Sequence, residues 1–447
     1  MGVIQRKVGP YVAATLLSPK VERTVLAAAE LRRKLGRRSH RVSYFHQADD
    51  PYSHLAAQLL SRLRENYQVE IDIHLVSAPD DAAAPERALL VAYSRKDAAD
   101  VAPHYGLEFT DGGRQPGPHI VGRANRILAS ALSSSWAGEL MGEVGRARGT
   151  HDEEALAALA SAHGQTSGLE AEAVVADGTK LRAQLGHYLG ATFYYGGRWY
   201  WGPDRLHYLE NRLEALGLRR SGPGLLVEPP TVEAGPGSGQ GFVLEYFASL
   251  RSPYTAIVAD RVFGLAQRTG LALDIRPVLP MVMRGLPVPR AKRMYIMRDA
   301  KREADRFGIP FGRISDPVGR PVERALAVYP LALELGRQVD YLHSYFELVW
   351  SRGVDAGADA GLRRIVEGAG MSWEEARRRL TRDEWRTDAE DNRSVMFEMG
   401  LWGVPSFRLS GPEGQPPLCT WGQDRLWLLE NEITRRAALA DTAGSRA

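Results

Sequence analysis

Ser252 stands immediately before Pro253, at the predicted start of a helix. Exposed amides and the helix dipole favour a negative charge there, a thiolate included. A serine hydroxyl is a poor nucleophile without a neighbouring base, and no histidine follows at a telling position. The hydroxyl can instead donate a hydrogen bond to a bound thiolate, which lowers the thiol's pKa. Capping the helix is the commoner role of serine at such a place. A second element is Trp402-Gly403-Val404-Pro405-Ser406-Phe407, which leads into a strand. A proline after Val404 can take the cis form and leave the Val404 backbone open to a ligand, although a proline entering an edge strand is ordinary. The third element is Trp421-Gly422-Gln423-Asp424-Arg425. Its carboxylate is placed to cap the C-terminal helix, and Asp424 can also take a ligand's ammonium group.

The elements that position these residues recur. Tyr44-Phe45-His46-Gln47-Ala48-Asp49-Asp50-Pro51-Tyr52 is answered 202 positions later by Tyr246-Phe247-Ala248-Ser249-Leu250-Arg251-Ser252-Pro253-Tyr254. Trp201-Gly202-Pro203-Asp204-Arg205-Leu206 returns as Trp421-Gly422-Gln423-Asp424-Arg425-Leu426. Tyr93, Asp97, Tyr105 and Gly106 match Tyr295, Asp299, Phe307 and Gly308 at the first offset. Paired segments in the same order predict two copies of one domain.

In each copy an apolar strand, a helix opened by proline and a second strand predict a βαβ unit. These are 41–45, a helix from 51 and 69–75 in the first half, and 242–247, 253–269 and 271–278 in the second. A mainly helical stretch follows, including 322–350, 362–368 and 373–380, with Ser372 and Glu375 as a capping pattern. A strand pair and a helix close each half; in the first these are 191–194, 199–201 and 204–216. The expected organisation is a helical extension (1–40), a first domain (41–220), a Gly/Pro-rich linker (221–241), a second domain (242–435) and a flexible tail (436–447). Gly235 to Gly241 precedes a strand and does not join a strand to a helix, so it lacks the context of a phosphate-binding loop.

Composition narrows the class. A chain of 447 residues, 44% apolar and 25% charged, reads as a globular protein of two or three domains. A net charge of +3 carries no electrostatic signal for nucleic acid. The single cysteine, Cys419, permits neither an internal disulfide nor a CxxC pair. It reads as a buried small apolar residue. A reducing, cytoplasmic setting fits. No apolar run is long enough to span a bilayer, and the short run 12–17 does not make a signal peptide.

Together the Ser252-Pro253-Tyr254 turn, Gly403-Val404-Pro405 and Trp421-Gly422-Gln423-Asp424-Arg425-Leu426 resemble the thioredoxin-like proteins of the DsbA superfamily. The resemblance is to the kappa-class glutathione transferases and 2-hydroxychromene-2-carboxylate isomerases within it, spans 242–435, and extends to Lys292, Tyr295, Asp299, Arg302 and Gly308-Ile309-Pro310. It implies an α/β fold of two thioredoxin-like domains, each with a helical insertion. It also implies glutathione as cofactor and a small organic substrate. The Ser252 hydroxyl would contact the glutathione sulfur, Val404 before a cis-type Pro405 would pair with the glutathione backbone, and Gln423 and Asp424 would hold the γ-glutamyl end. The implied activity is isomerase or transferase. Ser249 stands where the family often has an acid, and Arg251 replaces a usually apolar residue.

The first half departs at the same points. Asp50 takes the place of Ser252, and Ala191 that of Pro405. A carboxylate there opposes a thiolate, so this half is not expected to bind glutathione in the family manner. Ten of the eleven histidines precede residue 208. His46, Asp49, Asp50, His54, His187 and Asp204 could converge on one mouth as an acid–base or metal site. The simpler reading is scattered cap and surface residues on a degenerate copy, with no metal assigned. The alternatives to a glutathione-dependent enzyme are therefore a non-catalytic thioredoxin-like scaffold and an enzyme that uses this first-half site. The tandem copies are expected to pack as an internal pseudo-dimer, with neither nucleic acid nor membrane as partner.

Overall fold

The computed structural model describes residues 3–222 and 224–444. The chain divides into two compact units. The N-terminal unit comprises Arg23–Pro230 with Pro289–Tyr295, and the C-terminal unit comprises Thr231–Val288 and the chain from Ile296, together with the segment ending at Glu22.

Two helices, α1 (Val3–Leu16) and α2 (Pro19–Leu35), precede the first strand. The N-terminal unit then runs β1 (Arg41–His46), α3 (Pro51–Ala57), α4 (Leu60–Asn66) and β2 (Glu70–Leu75). Its helical insertion is α5 (Arg87–Val101), α6 (Pro118–Ala131), α7 (Ala137–Gly149), α8 (Glu153–His163) and α9 (Gly168–Gln184), and β3 (Thr192–Tyr195), β4 (Arg198–Trp201) and α10 (Leu206–Ala215) close it. The sheet order is β2-β1-β3-β4. β1 and β2 are parallel, β3 is antiparallel to β1, and β4 is antiparallel to β3.

The C-terminal half repeats this plan with β5 (Val243–Ala248), α11 (Pro253–Thr269) and β6 (Ala272–Pro277). Its insertion is α12 (Arg290–Arg306), α13 (Arg320–Glu334), α14 (Gln338–Phe346), α15 (Asp359–Gly368), α16 (Trp373–Arg379) and α17 (Trp385–Glu398). It closes with β7 (Ser406–Ser410), β8 (Leu418–Trp421) and α18 (Leu426–Gly444). The sheet order is β6-β5-β7-β8, with the same strand directions. Each sheet, with its helices, has the thioredoxin-like α/β arrangement, interrupted by a helical insertion after the second strand.

The sequence explains the frame locally. Asp50 and Ser252 sit at the N-caps in extended backbone, and each is followed by proline in the first turn, which needs no amide donor there. One expected element differs. The helix opened by Pro51 is broken at Gln58-Leu59, whereas α11 is continuous over 17 residues. The Gln58 side-chain amide donates to the His54 carbonyl at 3.3 Å and to the Glu108 carbonyl at 2.8 Å. It thus competes for a carbonyl that a continuing helix would use.

The 221–241 stretch holds no helix or strand among the described residues, yet it is pinned. Val227 and Ala234 are buried, and the Leu226 and Ala234 amides donate to the Glu210 and Glu430 carboxylates at 2.8 Å. The stretch expected as a flexible tail is helical as far as Gly444, and 445–447 lie outside the described residues. Ser372 caps α16 by accepting from the Glu375 amide at 3.4 Å.

Candidate functional site

In the C-terminal unit Ser252 is held between the helix it caps and the loop before β7. Its Oγ accepts the Thr255 amide at 3.2 Å and donates to the Val404 carbonyl at 3.4 Å. The second bond is long for O–H···O geometry, so the proton is weakly committed and open to a better acceptor. The Val404–Pro405 peptide is cis. The Gly422 amide donates to the Pro405 carbonyl at 2.9 Å, which ties this loop to the turn carrying Gln423 and Asp424. Ser252, Val404 and Pro405 are thus brought together directly, and the Gln423-Asp424 turn is joined to them through Gly422.

The two residues of that turn are presented differently. Gln423 is buried; its side-chain amide donates to Glu303 Oε2 at 2.7 Å and its Oε1 accepts from Arg261 Nη1 at 3.3 Å. The Arg261 guanidinium in turn lies 3.7 Å over the Phe307 ring. The Gln423 side chain is therefore spent on the protein. The Asp424 side chain keeps 21% of its surface, with Arg425 Nη1 at 3.7 Å.

Arg251, which the sequence places beside the site as a bulky charge, is held by a carboxylate. Its Nε and Nη2 donate to the two Asp316 carboxylate oxygens at 3.0 and 3.2 Å. This fork-on-fork geometry fixes the side chain. Ser249 is buried, and its Oγ has no hydrogen-bond partner among the described residues. Cys419 is half-buried, correcting the expectation of a buried residue: it lies on β8, at the end of the sheet order, paired with Arg408.

A supporting network recurs in both units at the 202-residue offset. The Tyr254 hydroxyl donates to Asp299 Oδ2 at 2.8 Å, and the Tyr52 hydroxyl donates to Asp97 Oδ2 at 2.6 Å. The Tyr246 hydroxyl reaches the Thr255 carbonyl at 3.3 Å, and the Tyr44 hydroxyl the Ser53 carbonyl at 2.8 Å. Strand register pairs Phe247 with Ser406 and Phe45 with Thr192, which sets Ala191 at the position of Pro405. The Gly202 amide donates to the Ala191 carbonyl at 2.7 Å, as Gly422 does to Pro405.

Around Asp50 the chemistry changes. Its carboxylate accepts from the Ser53 amide at 2.9 Å, the Ser53 hydroxyl at 2.8 Å and the Tyr52 amide at 3.4 Å. Burial raises its pKa to about 6 despite these bonds. His46 and His54 are buried nearby. Burial, then the charge of Arg148, lowers their pKa values to about 3 and about 4, so both imidazoles are neutral at neutral pH. The other two expected residues have partners of their own. His187 stacks among Tyr188, Trp199 and Tyr295, with ring centroids 4.6 Å from the last two. Asp204 accepts from the Tyr105 hydroxyl at 2.7 Å. Among the described residues no group of three or more His, Cys, Asp or Glu is arranged to hold a metal ion. Sequence reasoning missed Arg148, which comes from α7, and Glu303 and Arg261, which hold Gln423; no local motif marks any of them.

Two parallel strands, a crossing helix and an antiparallel pair, with a capped helix start beside a cis-proline loop, define a thioredoxin-like fold. Residues 243–434 match the family of DSBA-like thioredoxin domains, and this part of the chain is such a domain. No curated protein matches the chain. Among solved structures it is similar to 2-hydroxychromene-2-carboxylate isomerase, with 19% identity and a TM-score of 0.38 over 46% of this chain and 99% of that one. It is also similar to the cytosolic disulfide reductase DsbM from Pseudomonas aeruginosa, with 19% identity and a TM-score of 0.36 over 46% of this chain and 100% of that one. DsbM has also been solved with GSH. A third is a protein disulfide isomerase-like structure from Nitrosomonas europaea, with 17% identity and a TM-score of 0.34 over 42% of this chain and 95% of that one. Among the described residues no helix is long and apolar enough to cross a membrane.

Proposed function

We propose that the C-terminal unit binds glutathione at Ser252 and uses its thiolate on a small organic electrophile, as a glutathione-dependent isomerase of the 2-hydroxychromene-2-carboxylate type or as a transferase. The observation that carries this reading is the Ser252 hydroxyl at the start of a 17-residue helix, its proton engaged only in a 3.4 Å bond to the Val404 carbonyl. A thiolate at that point accepts the hydroxyl proton and lies in the positive field of the helix start, and both effects lower the thiol's pKa. The Val404 backbone pairs with the extended tripeptide. Asp424, whose side chain keeps 21% of its surface, receives the ammonium group of the γ-glutamyl end. The Gln423 side chain is excluded from that role by its bonds to Glu303 and Arg261, which leaves its backbone.

Serine in place of a nucleophilic cysteine leaves the redox chemistry of a dithiol without its sulfur atoms. What the site offers instead is activation of an external thiol. In the isomerase the thiolate adds to a conjugated bond, rotation follows, and the thiolate leaves. In the transferase the carbon–sulfur bond stays, and with an aryl halide the carbon–halogen bond breaks and halide departs with its electron pair, leaving the thioether.

The test is turnover of a 2-hydroxychromene-2-carboxylate and of a generic aryl halide by the full chain. Rates that need glutathione and fall at least ~100-fold in Ser252→Ala support the reading. Turnover of neither substrate, or turnover indifferent to Ser252, rejects it.

A further inference from the structure

Arg148 lies at the end of α7, 2% exposed. Its Nε is buried without a hydrogen-bond partner, and no carboxylate among the described residues approaches the guanidinium within the 4.0 Å of an ion pair. A buried guanidinium left unpaired is costly, so this one is unusual. Its surroundings show what would satisfy it. The charges of Asp49 and Asp50 act on it from the turn before α3, and that of Asp111 from the loop before α6. Asp111 has its own cation, with Arg95 Nε at 3.6 Å.

The two turn carboxylates retain free acceptor capacity. Asp49 takes one bond, from Gln47 Nε2 at 3.0 Å, and Asp50 Oδ1 takes only the long 3.4 Å bond from Tyr52. Gln115 donates to the Asp49 carbonyl at 2.8 Å, while its own Oε1 is buried and unpartnered. α7 lies along α3 and α4, with Gly138 against Leu60, Gly142 against Gln58 and Gly145 against His54, a register that carries Arg148 toward the α3 start. A charge-bearing donor without an acceptor is thus near acceptors short of donors, yet not within direct pairing distance.

We propose that this cluster is a binding site for a free α-amino acid, its carboxylate on Arg148 and its ammonium on Asp49, Asp50 and Gln115 Oε1. The charge balance selects this class. One guanidinium and two carboxylates make the site net negative, which disfavours a simple anion. A simple amine would leave Arg148 unpaired. A zwitterion satisfies both ends at once, and charge-assisted bonds at both ends are the strong kind. The site lies wholly within the N-terminal unit and does not depend on glutathione binding at Ser252. It also gives a physical meaning to Asp50 in the position of Ser252: the carboxylate that excludes a thiolate recruits an ammonium.

The test uses the full chain, titrated calorimetrically with glycine, L-alanine and L-glutamate, and with acetate, methylammonium and inorganic phosphate as controls. The expected result is binding of at least one amino acid with Kd under ~1 mM, weakened at least ~10-fold in both Arg148→Met and Asp49→Asn, and retained in Ser252→Ala. Arg148→Met removes a buried unpaired charge and is expected to raise the melting temperature of the ligand-free protein; should it not fold, Asp49→Asn decides alone. The proposal is overturned if no amino acid binds at ~10 mM. It is equally overturned if acetate or phosphate binds as tightly as the amino acid, if binding survives Asp49→Asn undiminished, or if it is lost in Ser252→Ala.

Discussion

The Trp421 indole lies directly against Gly403, so closely that a Cβ built on Gly403 falls well inside van der Waals contact with the ring. Trp402 packs on the same indole, with ring centroids 5.2 Å apart. The loop that presents Val404 to Ser252 is thus pressed onto the turn that carries Asp424. Gly403→Ala is expected to cost about 1–3 kcal/mol, because neither the backbone nor a packed indole can yield cheaply. It should also weaken ligand binding at Val404. Urea denaturation combined with a glutathione titration checks both; an unchanged midpoint would show that the loop moves freely beneath Trp421.

Tyr254 and Tyr52 fasten the starts of α11 and α3 to a buried aspartate, Asp299 or Asp97. Removing one donor from a buried carboxylate leaves it partly unsatisfied. Tyr254→Phe and Tyr52→Phe are each expected to destabilise by about 1–3 kcal/mol. The shift should appear in the urea midpoint with the slope unchanged. A neutral effect in one unit alone would show that the recurring bond has lost its role there.

Asp50 titrates in the folded chain at about 6 and ordinarily at 3.8, so the folded state holds the proton more tightly than the unfolded one. The stability this confers is present below about pH 4 and is lost as pH rises through about 6. Asn at this position keeps the cap and does not titrate. Between pH 4 and 7 wild type should therefore lose on the order of 2 kcal/mol relative to Asp50→Asn. Melting curves of both proteins across that range measure it, and a difference independent of pH would contradict the raised pKa.

What the sequence makes legible is what repeats or is local. The 202-residue offset pairs Tyr52 with Tyr254 and Asp97 with Asp299, and the same bond joins each pair in space. The Ser252 and Asp50 caps are written in three or four adjacent residues, so they can be read without the fold. The contacts that were not legible are long-range. Asp316 lies 65 residues from the Arg251 it holds, and Glu303 120 residues from Gln423. Arg148 is carried toward the Asp50 turn because α7 packs on α3, where Gly145 leaves room for the His54 ring. His187 and Asp204 share a polar composition with His46 and Asp50, but the fold assigns them to an aromatic cluster and to Tyr105. Composition alone cannot separate such residues.

The most direct test of the Ser252 site is a calorimetric titration of the full chain with glutathione, repeated for Ser252→Ala and Asp424→Ala. Saturable one-to-one binding by wild type is expected, with affinity reduced at least ~10-fold, about 1.4 kcal/mol, in each variant. Absence of binding to wild type, or affinity unchanged in both variants, would contradict a glutathione site at Ser252.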